Sequence, residues 1–182
     1  GGHAEAFPDS YTIKGYSTNN HGGVAPGFKN WFVIVSDTPF EIIDSAATPE
    51  NISLVGFPTR KGQIVNLRIA SSFISQEQAL LNLKEVSSKS FDKVASEGRV
   101  RWNEVLGRIK AEDDDIDHLR TFYSCLYRSL LFPRDLSEID ASGKRVHYSP
   151  HTGETAEGYF FTDTGFWDTF RSLFPLMNLV YP

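Results

Sequence analysis

The hydrophobic period changes at Ser75, and that change constrains the fold more than any other feature of the chain. Before Ser75 the apolar residues recur at every second position. Between residues 63 and 73, Val65, Leu67, Ile69, Ser71 and Phe73 alternate with Asn66, Arg68, Ala70 and Ser72, the period of a half-buried strand. After it, Leu80, Leu83 and Val86 fall on one helical face, and Ser75 with Gln78 has the spacing of a capping box. Strands followed by helices, rather than alternating with them, predict an α+β fold.

Further strands are expected upstream. Residues 31–35 (Trp-Phe-Val-Ile-Val) are a short continuous apolar run, typical of a strand buried on both faces. Segments 40–44 and 52–57 follow, each bounded by Pro, Asp, Asn or Gly, and 11–16 is a fourth candidate. Val24-Ala-Pro-Gly27 signals a turn. Several short strands with turns between them predict a β-sandwich or a similar antiparallel layer.

Downstream, Ser87-Ser88-Lys89-Ser90 breaks the first helix. A second is expected from about Ser90, with Phe91, Val94, Trp102, Val105, Leu106 and Ile109 as its stripe. Gly98 inside it costs about 1 kcal/mol relative to Ala. The acids Asp113, Asp115 and Asp117 suggest a calcium loop, but His118 stands where the loop needs Gly and Ser124 where it needs Glu. They read as a helix start, opposite the positive end of the dipole. That helix runs through Ile116, Leu119, Phe122, Leu126 and Leu130 until Pro133 stops it. Its broad apolar face suits packing on both sides, which would make Cys125 a core thiol. As the single cysteine, Cys125 has no intramolecular partner.

Residues 133–162 are polar and turn-rich, and such long connections are often functional. A hairpin is expected around Ser142-Gly143, with Val146-His147-Tyr148 as one arm. His147 and His151 are four apart, but Pro150 between them rules out the helical spacing of joint metal ligands. A last helix is capped by Asp163 or Thr164. Phe166, Phe170 and Leu173/Phe174 form one stripe of it, and Trp167, Asp168 and Arg171 another.

Bulk properties exclude some functions. The net charge is −5 and the Lys and Arg residues are scattered, so nucleic acid is an unsuitable partner. No apolar run reaches the ~18 residues of a membrane span, and no signal sequence opens the chain. The aromatic share is 13%, which supports a packed core and is also common in sugar-binding clefts. There is no nucleophile elbow, phosphate loop, dinucleotide fingerprint or zinc spacing. Asn51-Ile52-Ser53 is a glycosylation sequon, relevant only to a eukaryotic secretory setting.

What remains is Trp167, Asp168 and Arg171. A carboxylate accepts hydrogen bonds from two adjacent hydroxyls, and an indole stacks on a sugar ring. The alternative is structural: Trp167 in the core, and Asp168 a first-turn acid paired with Arg171.

The run Phe122-Tyr-Ser-Cys-Leu-Tyr-Arg-Ser-Leu-Leu-Phe-Pro133, then Tyr159-Phe-Phe-Thr-Asp163, then Phe166-Trp-Asp-Thr-Phe-Arg171 with Pro175-Leu176, resembles family 92 of the glycoside hydrolases. Upstream, Ala70-Ser-Ser-Phe-Ile-Ser75, Glu77-Gln-Ala79, Asn82-Leu83 and Trp102-Asn103 resemble the end of that family's N-terminal β-sandwich and its helical linker. These are calcium-dependent, inverting exo-α-mannosidases built from a sandwich followed by an (α/α)₆ barrel. The resemblance implies a fragment of such an enzyme, inactive alone, acting when whole on α-1,2-linked terminal mannose of glycans and located in the periplasm or outside the cell. It maps residues 1–74 to the sandwich, 75–112 to the linker and 113–182 to the first barrel helices. Asp168 and Trp167 would line the terminal-mannose subsite, with Arg171 a weaker third. The catalytic acid and base and the calcium ligands would lie downstream of Pro182. An incomplete barrel would expose apolar surface and self-associate. The rivals are another (α/α)₆ glycosidase, of trehalase or glucosidase type, and a non-catalytic carbohydrate-binding β-sandwich.

Overall fold

The computed structural model describes residues 1–19, 27–44, 54–162 and 164–182. The expected turn before Gly27, the start of the strand at 52–57, the sequon at Asn51 and the candidate cap Asp163 lie outside the described residues.

The chain divides into two compact units, residues 1–89 with 137–159, and residues 90–136 with 160–182. Unit one is built on a four-stranded antiparallel sheet. Its strands are β1 (Gly2–Phe7), β2 (Thr12–Ser17), β3 (Asn30–Ser36) and β6 (Leu67–Ser72), in the order β1-β2-β3-β6. β4 (Glu41–Asp44) and β5 (Leu54–Gly56) pair separately. A three-stranded sheet holds β7 (Glu138–Ile139), β8 (Arg145–Tyr148) and β9 (Thr155–Glu157). α1 (Gln76–Asn82) and the short α2 (Lys84–Ser87) complete the unit.

The register explains the sheet's two faces. Ala6, Ile13, Ile34 and Ile69 lie opposite one another across all four strands, an apolar row on one face. Val33, Ala70 and Ser72 belong to the other face, and α1 packs against β3 and β6. Val33, Ser72 and Ala79 are almost fully enclosed. The alternation expected at residues 63–73 is therefore real in β6 but opposite in sense. Arg68, Ala70 and Ser72 are the covered set, while Leu67 and Ile69 are 48% and 60% exposed. Alternation fixes that successive side chains point to opposite faces; which face is covered depends on what packs there. The strand is also shorter than expected, since residues 63–66 precede it.

The helix at Ser75 starts as its sequence predicts. Ser75 Oγ accepts from the Gln78 amide at 3.1 Å, satisfying one of the orphan N–H groups of the first turn. The carboxylate of Glu77 is held below its ordinary range by hydrogen bonds from its own backbone amide and the Ser75 hydroxyl. The hairpin around Ser142-Gly143 forms the β7–β8 connection. Asp140 Oδ1 accepts from the Ser142 and Lys144 amides at 2.8 and 2.9 Å, and Gly143 takes φ 83°, a conformation natural to glycine. The Ser142 hydroxyl, foremost, and the Lys144 amide hold Asp140 below the usual carboxylate range.

Unit two contains α3 (Phe91–Leu106), α4 (Ile116–Ser129), α5 (Phe166–Thr169) and α6 (Leu173–Val180). α3 is unbroken at Gly98, and Ser90 Oγ caps it by accepting from the Lys93 amide at 3.2 Å. Asp115 caps α4 in the same manner, accepting from the Asp117 amide at 2.8 Å. Trp102 and Tyr127 meet edge to face at 4.6 Å, joining α3 to α4. The Tyr123 hydroxyl donates to the Ile109 carbonyl and accepts from the Ala111 amide. Packing on α4 is one-sided: Leu126 is its buried residue, and Cys125 is exposed. The expected core thiol is thus a surface thiol, because among the described residues nothing covers that flank of the helix.

Candidate functional site

The approach to the candidate site is a short antiparallel ladder. The Leu136 amide donates to the Phe160 carbonyl at 2.7 Å, the Thr162 amide to the Arg134 carbonyl at 2.9 Å, and Asp135 bridges Phe161. The Arg134 amide also reaches the Thr162 hydroxyl at 2.9 Å.

α5 begins at Gly165, which is its N-cap with no side-chain cap. Thr164, the described one of the two expected caps, instead places its hydroxyl 3.3 Å from that of Thr169. A glycine here leaves room for the carboxylate. A Cβ at position 165 would sit 3.1 Å from Asp168 Oδ2, so Asp168 folds back over Gly165 while its amide donates to the Gly165 carbonyl at 2.9 Å.

One four-residue turn therefore carries two of the three candidate residues read from the sequence, Trp167 and Asp168. Trp167 is 86% exposed. In this chain it is not a core side chain. Asp168 is exposed beside it. The aromatic stripe forms as expected, with Phe166 stacked on Phe170 at 5.6 Å and tilted against Phe174 at 5.8 Å.

Arg171 behaves differently. The expected continuous helix breaks after Thr169 and resumes at Leu173, so Asp168 and Arg171 do not share an uninterrupted helical face. Among the described residues no ion pair joins them. The Arg171 guanidinium lies over the Phe170 ring, 5.1 Å from its centroid. A cation over an aromatic face is attracted by the ring quadrupole, and the Phe166–Phe170–Phe174 cluster supplies that face.

Two features lie outside the sequence reading. An open cavity of about 390 Å³ is lined by His3, Tyr16, Ser17, Asn19 and Phe32, together with Gly1, Gly2 and Ala4. It contains no carboxylate and none of the three candidate residues. The other is Glu138, whose carboxylate gathers donors from β6 and α1; no periodicity or motif marks it. Among the described residues, no group of three or more His, Cys, Asp or Glu side chains is arranged to hold a metal ion. Nor is any helix among them long and apolar enough to cross a membrane.

Antiparallel sheets combined with helices define an α+β protein. Residues 78–182 match the model of the glycosyl hydrolase family 92 catalytic domain, and the chain belongs to that family. A family GH92 inverting mannosidase from Bacteroides thetaiotaomicron VPI-5482 is 38% identical with a TM-score of 0.85; the match covers 97% of this chain and 26% of that one. A second family GH92 alpha-mannosidase from Bacteroides thetaiotaomicron, 21% identical with a TM-score of 0.72 over 95% of this chain and 25% of its own, shares the fold. An uncharacterised secreted glycosidase from Arthroderma benhamiae is 37% identical over 83 residues, 43% of this chain and 10% of its own length. The chain thus spans about a quarter of the solved relatives and a tenth of the curated one.

Proposed function

We propose that this chain is part of an inverting exo-α-mannosidase that removes α-1,2-linked terminal mannose from glycans outside the cytoplasm. Family membership supports a glycosidase, and the relative that aligns over nearly the whole chain is described as an inverting mannosidase. The observation that carries the reading to particular residues is the exposed Trp167 next to Asp168 at the start of α5. The indole offers a flat apolar face to the C–H side of a pyranose. The carboxylate accepts from two neighbouring hydroxyls, a charge-assisted geometry stronger than that of neutral partners. Arg171, engaged with Phe170, borders the subsite.

Domain assignment belongs to the same proposal: residues 1–74 as the end of a sandwich, 75–112 as a linker, and 113–182 as the first helices of an (α/α)₆ barrel. The apolar row ending at the exposed Ile69 supports the sandwich, because a second sheet packs on such a face. Inversion needs an acid to protonate the leaving oxygen and a base to activate water from the opposite side, roughly 6.5–9.5 Å apart. The proposal puts both outside this chain, together with the ligands of a calcium ion used by the complete enzyme. An extracellular or periplasmic location is in keeping with the secreted relative.

The test is mannose release by the complete protein from α-1,2-mannobiose. Proton NMR should show β-mannose as the first-formed anomer, and a calcium chelator should abolish turnover. First-formed α-mannose would overturn inversion. Preferential cleavage of trehalose or α-glucosides would indicate another barrel glycosidase, and glycan binding without turnover a non-catalytic module.

For the 182-residue chain alone, no turnover is expected. Exposed Phe166, Trp167, Leu179 and Ile69 predict self-association, so sedimentation velocity should resolve dimers or larger species. A monodisperse monomer at tens of micromolar would remove that expectation.

A further inference from the structure

Residues 137–159 belong to unit one, although the chain on either side of them, 90–136 and 160–182, belongs to unit two. Glu138, the first residue of β7, is half-buried beside the corner formed by β6 and α1. Its Oε1 accepts from Ser72 Oγ at 3.0 Å and from the Phe73 amide at 2.9 Å. Its Oε2 accepts from Asn82 Nδ2 at 2.6 Å. These three donors are all neutral.

The amides around it are fixed in orientation. Gln78 Nε2 donates to the Ile139 carbonyl at 2.7 Å and to Asn82 Oδ1 at 2.9 Å. Asn82 Nδ2 donates in turn to the Ser71 carbonyl at 2.9 Å. A backbone carbonyl accepts and never donates, so one at each end of the Gln78–Asn82 pair dictates which atom each amide presents. Position 138 therefore meets an N–H on each of its two oxygens. An ionised carboxylate satisfies both. A glutamine cannot, because its NH₂ would face the N–H of either Asn82 or Phe73.

We propose that residues 137–159 form a strap fastened to the sheet unit by acceptor-only chemistry at position 138, and released as one element when that chemistry is lost. Beside the Gln78–Ile139 hydrogen bond, apolar contacts attach it: Val146 is buried, and Tyr148 meets Phe28, which stacks on Phe73. Apolar contacts are non-directional, so registration falls to the carboxylate of Glu138 and the Ile139 carbonyl beside it. Buried groups without partners are costly, and locally cooperative elements open below the global stability.

Hydrogen exchange followed by mass spectrometry tests this. Glu138→Gln should raise exchange across β8 and β9 by about tenfold or more, with β2 and β3 unchanged. In an Asn82→Ala background the opposing donor is gone, so the same substitution should change exchange by no more than about twofold. Three results would overturn the strap: wild-type exchange in Glu138→Gln, a rise shared equally by β2 and β3, or an undiminished effect in the Asn82→Ala background. Should Glu138→Gln fail to fold, the double variant is expected to fold; its failure counts equally against the proposal.

Discussion

Asp168→Ala in the complete enzyme should lower kcat/KM for a terminal α-mannoside by about 100-fold or more, with little change in thermal midpoint. Two hydrogen bonds from sugar hydroxyls to a carboxylate are lost, each worth about 1.5–3 kcal/mol, and about 1.4 kcal/mol corresponds to a tenfold change in rate. Stability should hold because Asp168 is exposed, and neither an ion pair with Arg171 nor a capping bond depends on it. Asp168→Asn keeps one acceptor oxygen and should retain part of the activity. The distribution between constants is informative: equal losses in kcat and kcat/KM place the contact in the transition state, whereas a rise in KM alone places it in ground-state binding. Arg171→Ala should have the smaller effect, since its guanidinium is already engaged with Phe170. Kinetics within about twofold of wild type for Asp168→Ala would remove that residue from the subsite.

The change of period at Ser75 was legible because period depends on backbone geometry alone. The caps at Ser75, Ser90 and the Asp113–Asp117 run were legible for a similar reason: each is a local hydrogen bond between residues two or three apart. Depth of burial was not. It depends on what lies opposite, which is why β6 presents Leu67 and Ile69 outward, and why Cys125 and Trp167 are exposed. The break between α5 and α6 was hidden because the apolar spacing of Phe166, Phe170 and Phe174 continues across it. Glu138 was hidden more deeply, since Ser72, Phe73 and Asn82 lie more than fifty positions away. The Trp-Asp pair at 167 and 168 could be read as a candidate because its chemistry is contained in two adjacent side chains.

Gly15→Ala should destabilise unit one by about 2–3 kcal/mol, the upper part of the range for overpacking a core. Gly15 lies in β2 between Ala4 of β1 and Phe32 of β3, and it is buried. Its backbone is not one of the chain's positive-φ positions; the requirement is space. A Cβ would lie 2.7 Å from Phe32 Cζ and 2.9 Å from the Ala4 Cα, and would strike the His3 carbonyl oxygen. A ring can rotate away, but two of these three neighbours are backbone of the paired strand, so relief requires β1 to shift from β2. Gly98→Ala is the matched control. It stands in the interior of α3, where a Cβ meets nothing within 4 Å, and the gain in helix propensity should stabilise the protein by about 0.5–1 kcal/mol. Urea unfolding of the two variants should move their midpoints in opposite directions. If Gly15→Ala is neutral, the close pairing of β1 on β2 is not as described, and the row running from Ala6 to Ile69 loses its outer strand.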